Sequence, residues 1–200
     1  MKKSTFKSDL RKEQRLSEFV DAIYSKFLKN YHFERISNIK QQLIGVDVNF
    51  IHKVSGHTYH IDEKAQLDYL NEDLPTFAFE LSYLKRDKEK IGWLFDTKKR
   101  TDFYALVTAL FEDEGEFSSC KVTLVNRQKL IGMLLDFGFN AKKFQNYRSL
   151  NGHGKMELEG LHPKTQGYLY HSKNNKAEQP LNLILKLDWL IEKKIARRLI

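Results

Sequence analysis

The sequence predicts a single α/β (α+β) domain, because one amphipathic helix precedes a series of short strand-like and helical segments. The helix is indicated by apolar residues that recur every three or four positions: Leu16, Phe19, Val20, Ile23, Tyr24, Phe27 and Leu28. Over 43–67 the apolar residues instead alternate with polar ones, which is typical of strands with one buried face. The length of 200 residues suits one domain with a full core.

The composition is that of a folded, water-soluble protein, with 30% charged and 41% apolar residues. No apolar run reaches the roughly eighteen residues that a membrane span needs. The charged N-terminal stretch lacks the features of a secretory signal, and the single cysteine, Cys120, excludes an internal disulfide. We therefore expect a cytoplasmic protein with no membrane partner. The net charge of +8 favours a polyanionic partner such as nucleic acid.

Residues 43–67 predict a β-hairpin that gathers charged side chains on one face. A four-residue loop at 53–56 would place Asp47 directly opposite Asp62. A two-residue loop at Ser55-Gly56 would place Asp47 opposite Lys64 instead, with Asp62 as its diagonal neighbour. Both registers put the two aspartates and the lysine on the face opposite the apolar residues, and this cluster is the most informative feature of the sequence.

Two carboxylates on directly paired residues lie about 5 Å apart and repel each other unless a cation or a proton lies between them. Lys64 could supply the positive charge, and so could a divalent metal ion, which takes oxygen ligands. The alternative interpretation is a solvated sheet face with a weak cross-strand ion pair.

The rest of the chain alternates between predicted strands and helices. Residues 76–84 have period two and are expected to form a third strand beside the hairpin, which would bring Glu80 to the charged face. The remaining expectations are a charged loop at 85–90, a short strand at 91–95, strands at 102–110 and 120–126, a helix at 127–137, a surface excursion at 140–167, strands at 168–172 and 180–187, and a last helix at 188–200. We expect the core in about 16–137, with 138–200 peripheral.

The order of these features resembles the PD-(D/E)XK nuclease superfamily, which has the restriction-endonuclease-like fold. The resemblance covers about residues 16–110 and depends on the leading helix, Asp47 on the first hairpin strand, the triplet Asp62-Glu63-Lys64 on the second, and the strand that follows. Val46 stands where the family name has proline. The resemblance implies a mixed central β-sheet flanked by helices, here with a C-terminal β-hairpin and helix added.

Residue roles follow from the same resemblance. Asp47 and Asp62 become ligands of Mg²⁺, for which Mn²⁺ can substitute, and Lys64 becomes the catalytic lysine beside the attacking water. Glu80 is a further candidate for the catalytic face, and Glu63 is either a third metal ligand or a partner of a neighbouring helix.

Two further features bear on the resemblance: an acidic residue from the first helix, and other triplets of the same form. The family often adds an acidic residue from the first helix, for which Glu13 and Glu18 are the candidates. Triplets of the same form also occur at Asp96-Thr97-Lys98 and Glu192-Lys193-Lys194. Only the triplet at 62–64 follows an aspartate on the same predicted strand face.

Basic residues outside the hairpin are candidates for phosphate contacts. They are Lys98, Lys99 and Arg100 in a basic turn and Lys142, Lys143 and Arg148 in the segment 142–148, where Phe144 and Tyr147 are candidate base-stacking side chains. A solvated surface is the alternative interpretation of each stretch.

Together these features predict a Mg²⁺-dependent endodeoxyribonuclease that hydrolyses phosphodiester bonds of DNA. The first alternative is a non-catalytic nucleic-acid-binding or assembly protein that retains the nuclease fold. A second is a sheet protein whose acidic face binds a metal ion or a peptide. A homodimer is compatible with the nuclease, since two sites are needed to cut two strands.

Overall fold

The computed structural model describes residues 5–150, 152–173 and 178–200, and for 5–11, 146 and 148–150 it describes the backbone alone. The helices are α1 (Thr5–Phe27), α2 (Ile39–Leu43), α3 (Arg127–Asp136), α4 (Ala141–Leu150) and α5 (Leu187–Glu192). The strands are β1 (Tyr31–Arg35), β2 (Val48–His52), β3 (Thr58–Ala65), β4 (Thr76–Lys85), β5 (Lys88–Ile91), β6 (Phe103–Asp113), β7 (Glu116–Asn126), β8 (Gly154–Met156), β9 (Gly167–His171), β10 (Leu181–Lys186) and β11 (Ala196–Arg198).

The strands form two sheets. The first sheet has six strands in the order β1-β2-β3-β6-β7-β11, and the second has five in the order β5-β4-β10-β9-β8. The first sheet is mixed, because β3 and β6 run parallel whereas its other neighbours are antiparallel. The chain therefore has the mixed α/β character that the sequence predicts.

Helix α1 covers one face of the first sheet, as its apolar periodicity predicts. Val20 and Tyr24 of the helix are buried against Phe50 and Ile61 of the hairpin. Tyr24 also meets Phe50 edge-to-face, with ring centroids 4.9 Å apart. This packing fixes the hairpin strands and thereby the positions of Asp62 and Lys64.

The opposite face of the first sheet packs on the second sheet, and not on a layer of helices alone. Tyr104 and Leu106 of β6 are buried in one cluster with Phe79 of β4 and Leu183 of β10, to which α3, α4 and α5 also contribute. Successive β6 residues thus serve two different layers, which explains why Asp102 to Leu110 is apolar almost throughout.

The expectation that the third strand lies beside the hairpin is wrong. Residues 76–85 do form strand β4, but β4 pairs with β5 and β10 in the second sheet. The neighbour of β3 is β6. A parallel pair needs a long crossover connection, and β4 and β5 lie within that connection.

Two local expectations are also wrong. Residues 85–90 form a β-hairpin with a tight turn at Arg86 and Asp87, where φ is 52° and 58°, and the strand ends at Ile91, so that Trp93 lies in a turn. The expected helix at 188–200 ends at Glu192, and the chain then turns at Lys194, where φ is 56°. Strand β11 follows and pairs with β7, which satisfies backbone groups that β7 would otherwise leave at a sheet edge.

Residues 138–200 are not peripheral. They contribute three of the five strands of the second sheet, and the expected surface excursion contains helix α4. Leu158, Leu161 and Leu169 are buried in the core. The sequence does not indicate that these leucines belong to the core, because this glycine-containing segment has no regular apolar period. In the described part of the chain, no helix combines the length and apolarity needed to cross a membrane.

Candidate active site

The β2–β3 hairpin adopts the first of the two predicted registers. Val48 pairs with Ile61 and Phe50 with Tyr59, and the His52 N–H donates to the His57 carbonyl at 2.8 Å, which closes a four-residue loop at 53–56. The regular pairing ends at Val48 and Ile61, and the Asp47 N–H also donates to the Ile61 carbonyl, so Asp47 lies at the end of the ladder beside Ile61 and Asp62. The negative charge of Asp62 acts directly on the Asp47 carboxyl, so the two carboxyl groups that the sequence places on one face do lie close together.

Asp47 lies immediately before β2 and is held by β3. Its N–H donates to the carbonyl of Ile61 at 2.8 Å, and its carboxylate oxygen Oδ2 accepts the Glu63 N–H at 2.9 Å. Burial, followed by the negative charge of Asp62, raises the pKa of Asp47 to about 7, although the Glu63 N–H and the charge of Lys64 act in the opposite direction. A proton or a cation is therefore favoured between the two carboxylates near neutral pH.

Asp62 is almost fully buried, with only 2% of its surface exposed. Its Oδ1 accepts a hydrogen bond from the ammonium of Lys64. Its Oδ2 is buried and has no hydrogen-bond partner among the described residues. A buried carboxylate oxygen without a partner is unfavourable, so this atom is suited to an added cation or donor.

Gly45 keeps the space beside this oxygen open. A Cβ built on Gly45 would lie 3.3 Å from Asp62 Oδ2 and would overlap Thr101 Oγ1, and the backbone φ of 77° already favours glycine. The buried Thr101 holds this approach in place, because its hydroxyl donates to the Gly45 carbonyl at 2.8 Å. Sequence reasoning missed Thr101, and its place just after the basic turn was the only available signal.

Lys64 lies between Asp62 and the second sheet. Its ammonium is 5.6 Å from the centroid of the Trp93 ring, and Lys64, Trp93 and Glu80 line one cleft of about 950 Å³. Burial raises the pKa of Glu80, whereas the positive charges of Lys64 and Lys99 lower it. Glu80 thus comes close to the charged face from β4 of the second sheet, a different route from the one expected.

Glu63 lines one cavity with Asp47 and Lys64, but its carboxylate is engaged by other partners. Its carboxylate accepts hydrogen bonds from the guanidinium of Arg35 at 2.6 Å and from the hydroxyl of Tyr24 at 2.7 Å. Arg35 also pairs with Asp21 of α1. Of the two roles considered for Glu63, the structure has the contact with a neighbouring helix, because alternation along β3 turns its side chain toward α1.

The two acids of α1 differ in position. Glu13 lines a cavity of about 510 Å³ together with Asp47 and Lys64, whereas Glu18 does not and instead accepts a hydrogen bond from Gln14 at 3.2 Å. Within the described part of the chain, no three His, Cys, Asp or Glu side chains are already arranged as a metal-binding group. The metal-ligand candidates are therefore the pair Asp47 and Asp62.

The basic turn lies against the same region. The Lys99 ammonium donates to the Leu43 carbonyl at 2.9 Å, and its Cδ would lie 3.1 Å from a Cβ on Gly45. The Arg100 N–H donates to the Ile44 carbonyl at 2.8 Å. Lys98 and Arg100 have exposed side chains, so they remain candidates for phosphate contacts beside the carboxylate pair.

The second basic stretch forms helix α4. Phe144 is 2% exposed and packs against Phe139, so its expected role in base stacking is wrong. The Lys143 ammonium lies 4.8 Å from the centroid of the Phe139 ring, while Lys142 is exposed. The side chain of Arg148 lies outside the described residues.

The two other triplets have no comparable surroundings. Asp96 accepts the Lys98 N–H at 3.0 Å and belongs to a turn, and Glu192 is exposed at the end of α5. Neither occupies a strand opposite another aspartate.

Two adjacent carboxylates with a free buried oxygen fit a Mg²⁺ ion, which commonly takes one or two carboxylates and completes its shell with water and substrate phosphate. No protein-family model, curated protein or solved structure matches this chain.

Proposed function

We propose that this protein is a metal-dependent nuclease that hydrolyses phosphodiester bonds of DNA, with Asp47 and Asp62 holding Mg²⁺ and Lys64 assisting the attacking water. The observation that carries the proposal is the buried Asp62, which uses one carboxylate oxygen to bind Lys64 and leaves the other without a partner beside Asp47. A purely structural ion pair would have no need for a second carboxylate at this position.

The chemistry of phosphodiester hydrolysis fits these residues. A bound Mg²⁺ would polarise the phosphate and lower the pKa of water. The Lys64 ammonium, which is fixed by Asp62 and the Trp93 ring, would add positive charge where negative charge develops on the phosphate oxygens. Its fixed position means that little reorganisation is needed during the reaction.

Nucleic acid is favoured as the substrate by the charge of the chain and by the location of the basic turn. The net charge is +8, and Lys98, Lys99 and Arg100 lie within the segment that packs on Gly45. Lysine and arginine side chains at such a position can bind the phosphates that flank the scissile bond.

The test is incubation of the purified protein with plasmid and with single-stranded DNA, in Mg²⁺ or Mn²⁺ and in chelator. We expect metal-dependent cleavage that is lost in Asp62→Asn and retained in Glu192→Gln, the matched acid of another triplet. Absence of cleavage with either metal and either substrate, or equal cleavage by Asp62→Asn, would reject the proposal.

A further inference from the structure

A separate cavity of about 550 Å³ lies on the α1 face of the first sheet, beside the C-terminal end of α1. Its floor consists of apolar and aromatic side chains of the sheet, among them Phe50, Tyr59, Phe103 and Leu124, and its walls come from the turn after α1 and from β11. None of its lining residues lines the cavities around Asp47 and Lys64. The volume lies within the range of about 300–1,000 Å³ that is usual for small-molecule sites.

The rim of this cavity is positively charged. It carries Lys29, Lys129, Lys194 and Arg197, and none of the described residues that line the cavity is acidic. Lys29, Lys129, Lys194 and Arg197 are exposed and can turn toward a ligand. Like charges gathered around a concave apolar surface repel one another, so an anion at the rim would relieve this repulsion.

Arg198 is not one of the rim donors, because side chains alternate along β11 and that of Arg198 points to the opposite face of the sheet, where α5 lies. One of its terminal nitrogens contacts Asp188 at 3.3 Å, but the Asp188 side chain is 86% exposed and water screens this pair strongly. The Nε of Arg198 is buried without a hydrogen-bond partner among the described residues. The donors available to an anion at the rim are therefore Arg197 and the exposed lysines.

The floor offers aromatic rings that are only half-buried. Tyr59 and Phe103 meet edge-to-face with their centroids 5.5 Å apart, and Tyr31 lies 6.2 Å from Tyr59. Rings of this kind stack on nucleobases irrespective of the base sequence, as in proteins that bind single-stranded nucleic acids. An aliphatic anion would gain from the charged rim but not from these ring faces.

From these observations we propose that the cavity binds a nucleoside phosphate, with the base against the Tyr59–Phe103 floor and the phosphate at Lys129 and Arg197. The same chemistry is presented by a free nucleotide and by the 5′-phosphorylated end of a strand. This inference does not rest on the proposed nuclease activity, because the two sites share no residue.

The experiment is calorimetric titration of the full chain with AMP, with adenosine and with inorganic phosphate. We expect AMP to bind more tightly than either of its two parts. Lys129→Ala/Arg197→Ala should weaken AMP binding at least about tenfold, since two charged donors are lost. The matched double variant Lys88→Ala/Lys90→Ala, which alters exposed lysines of β5, should bind AMP normally, and so should Asp62→Asn.

A competition step separates the two sources of the ligand. Displacement of AMP by a 5′-phosphorylated single-stranded octanucleotide, but not by its unphosphorylated form, would support a site for strand ends. Absence of displacement by both would support a site for free nucleotides. The inference is overturned if the wild-type protein does not bind AMP, if inorganic phosphate binds as tightly, or if Lys129→Ala/Arg197→Ala binds AMP as the wild type does.

Discussion

Replacement of Asp47 by asparagine should stabilise the metal-free protein at alkaline pH. The folded protein raises the pKa of this carboxyl from its ordinary value of 3.8 to about 7, first through burial and then through the charge of Asp62. Because the folded state holds the proton more tightly than the unfolded state, the contribution of this group to stability is greatest below pH about 4. It is lost as the pH rises through about 7.

The magnitude follows from these two pKa values. Ionisation of Asp47 disfavours the folded state by about 4 kcal/mol at pH 8 and by about 2 kcal/mol at pH 5, when the unfolded carboxyl has its ordinary pKa. Asparagine carries no such charge. Its amide oxygen can keep the hydrogen bond from the Glu63 N–H, and its NH₂ group can donate to Asp62 Oδ2.

The assay is thermal and denaturant unfolding in chelator from pH 5 to pH 8. The advantage of Asp47→Asn over the wild type should grow by about 2–3 kcal/mol over this range, or about 5–10 °C in melting temperature for a domain of this size. Asp136→Asn, which neutralises an exposed carboxylate at the end of α3, should keep the pH dependence of the wild type. Parallel pH profiles for the wild type and Asp47→Asn would refute the reasoning.

Three further substitutions test other contacts. Lys64→Ala should abolish cleavage while the protein still binds divalent metal, because the lysine binds Asp62 and is not itself a metal ligand. Cleavage assays and calorimetric metal titrations would measure the two effects. Loss of metal binding would contradict this role of Lys64. Gly45→Ala should destabilise the fold by more than about 1 kcal/mol in denaturant unfolding, because the backbone φ at Gly45 is 77° and the new Cβ would overlap Thr101 Oγ1. Unchanged stability would argue against the close approach of Thr101 to Gly45. Tyr24→Phe should lower stability by about 1 kcal/mol in the same assay without loss of cleavage, because it removes only the hydrogen bond to Glu63. A stable variant that no longer cleaves DNA would instead give Glu63 a catalytic role.

Alternating and helical periodicity predicted the elements that have one buried face. Helix α1 is buried at Val20 and Tyr24, and β2 buries the alternate residues Val48 and Phe50, whereas β3 buries the successive residues Ile61 and Asp62. The pattern could not decide which sheet contains a strand, since β4 alternates equally well in the second sheet. It also could not distinguish the end of α5 from a longer helix, because the turn at Lys194 depends on the pairing of β11 with β7.

The candidate site was predictable where it lies within one hairpin and not where it depends on long-range packing. Asp47, Asp62 and Lys64 are brought together by local pairing, and the sequence left only two registers to choose between. Thr101 and Lys99 reach Gly45 from a segment more than fifty residues away, so no local pattern indicates their contact.

The central claim is that Asp47 and Asp62 together hold a divalent metal ion. Calorimetric titration of the metal-free protein with Mn²⁺ at pH 8 tests it most directly, with Asp62→Asn and Glu192→Gln as the matched pair of variants. We predict that the wild type and Glu192→Gln bind one ion per chain and that Asp62→Asn binds none. Equal Mn²⁺ binding by Asp62→Asn, or no binding by the wild type, would contradict the account.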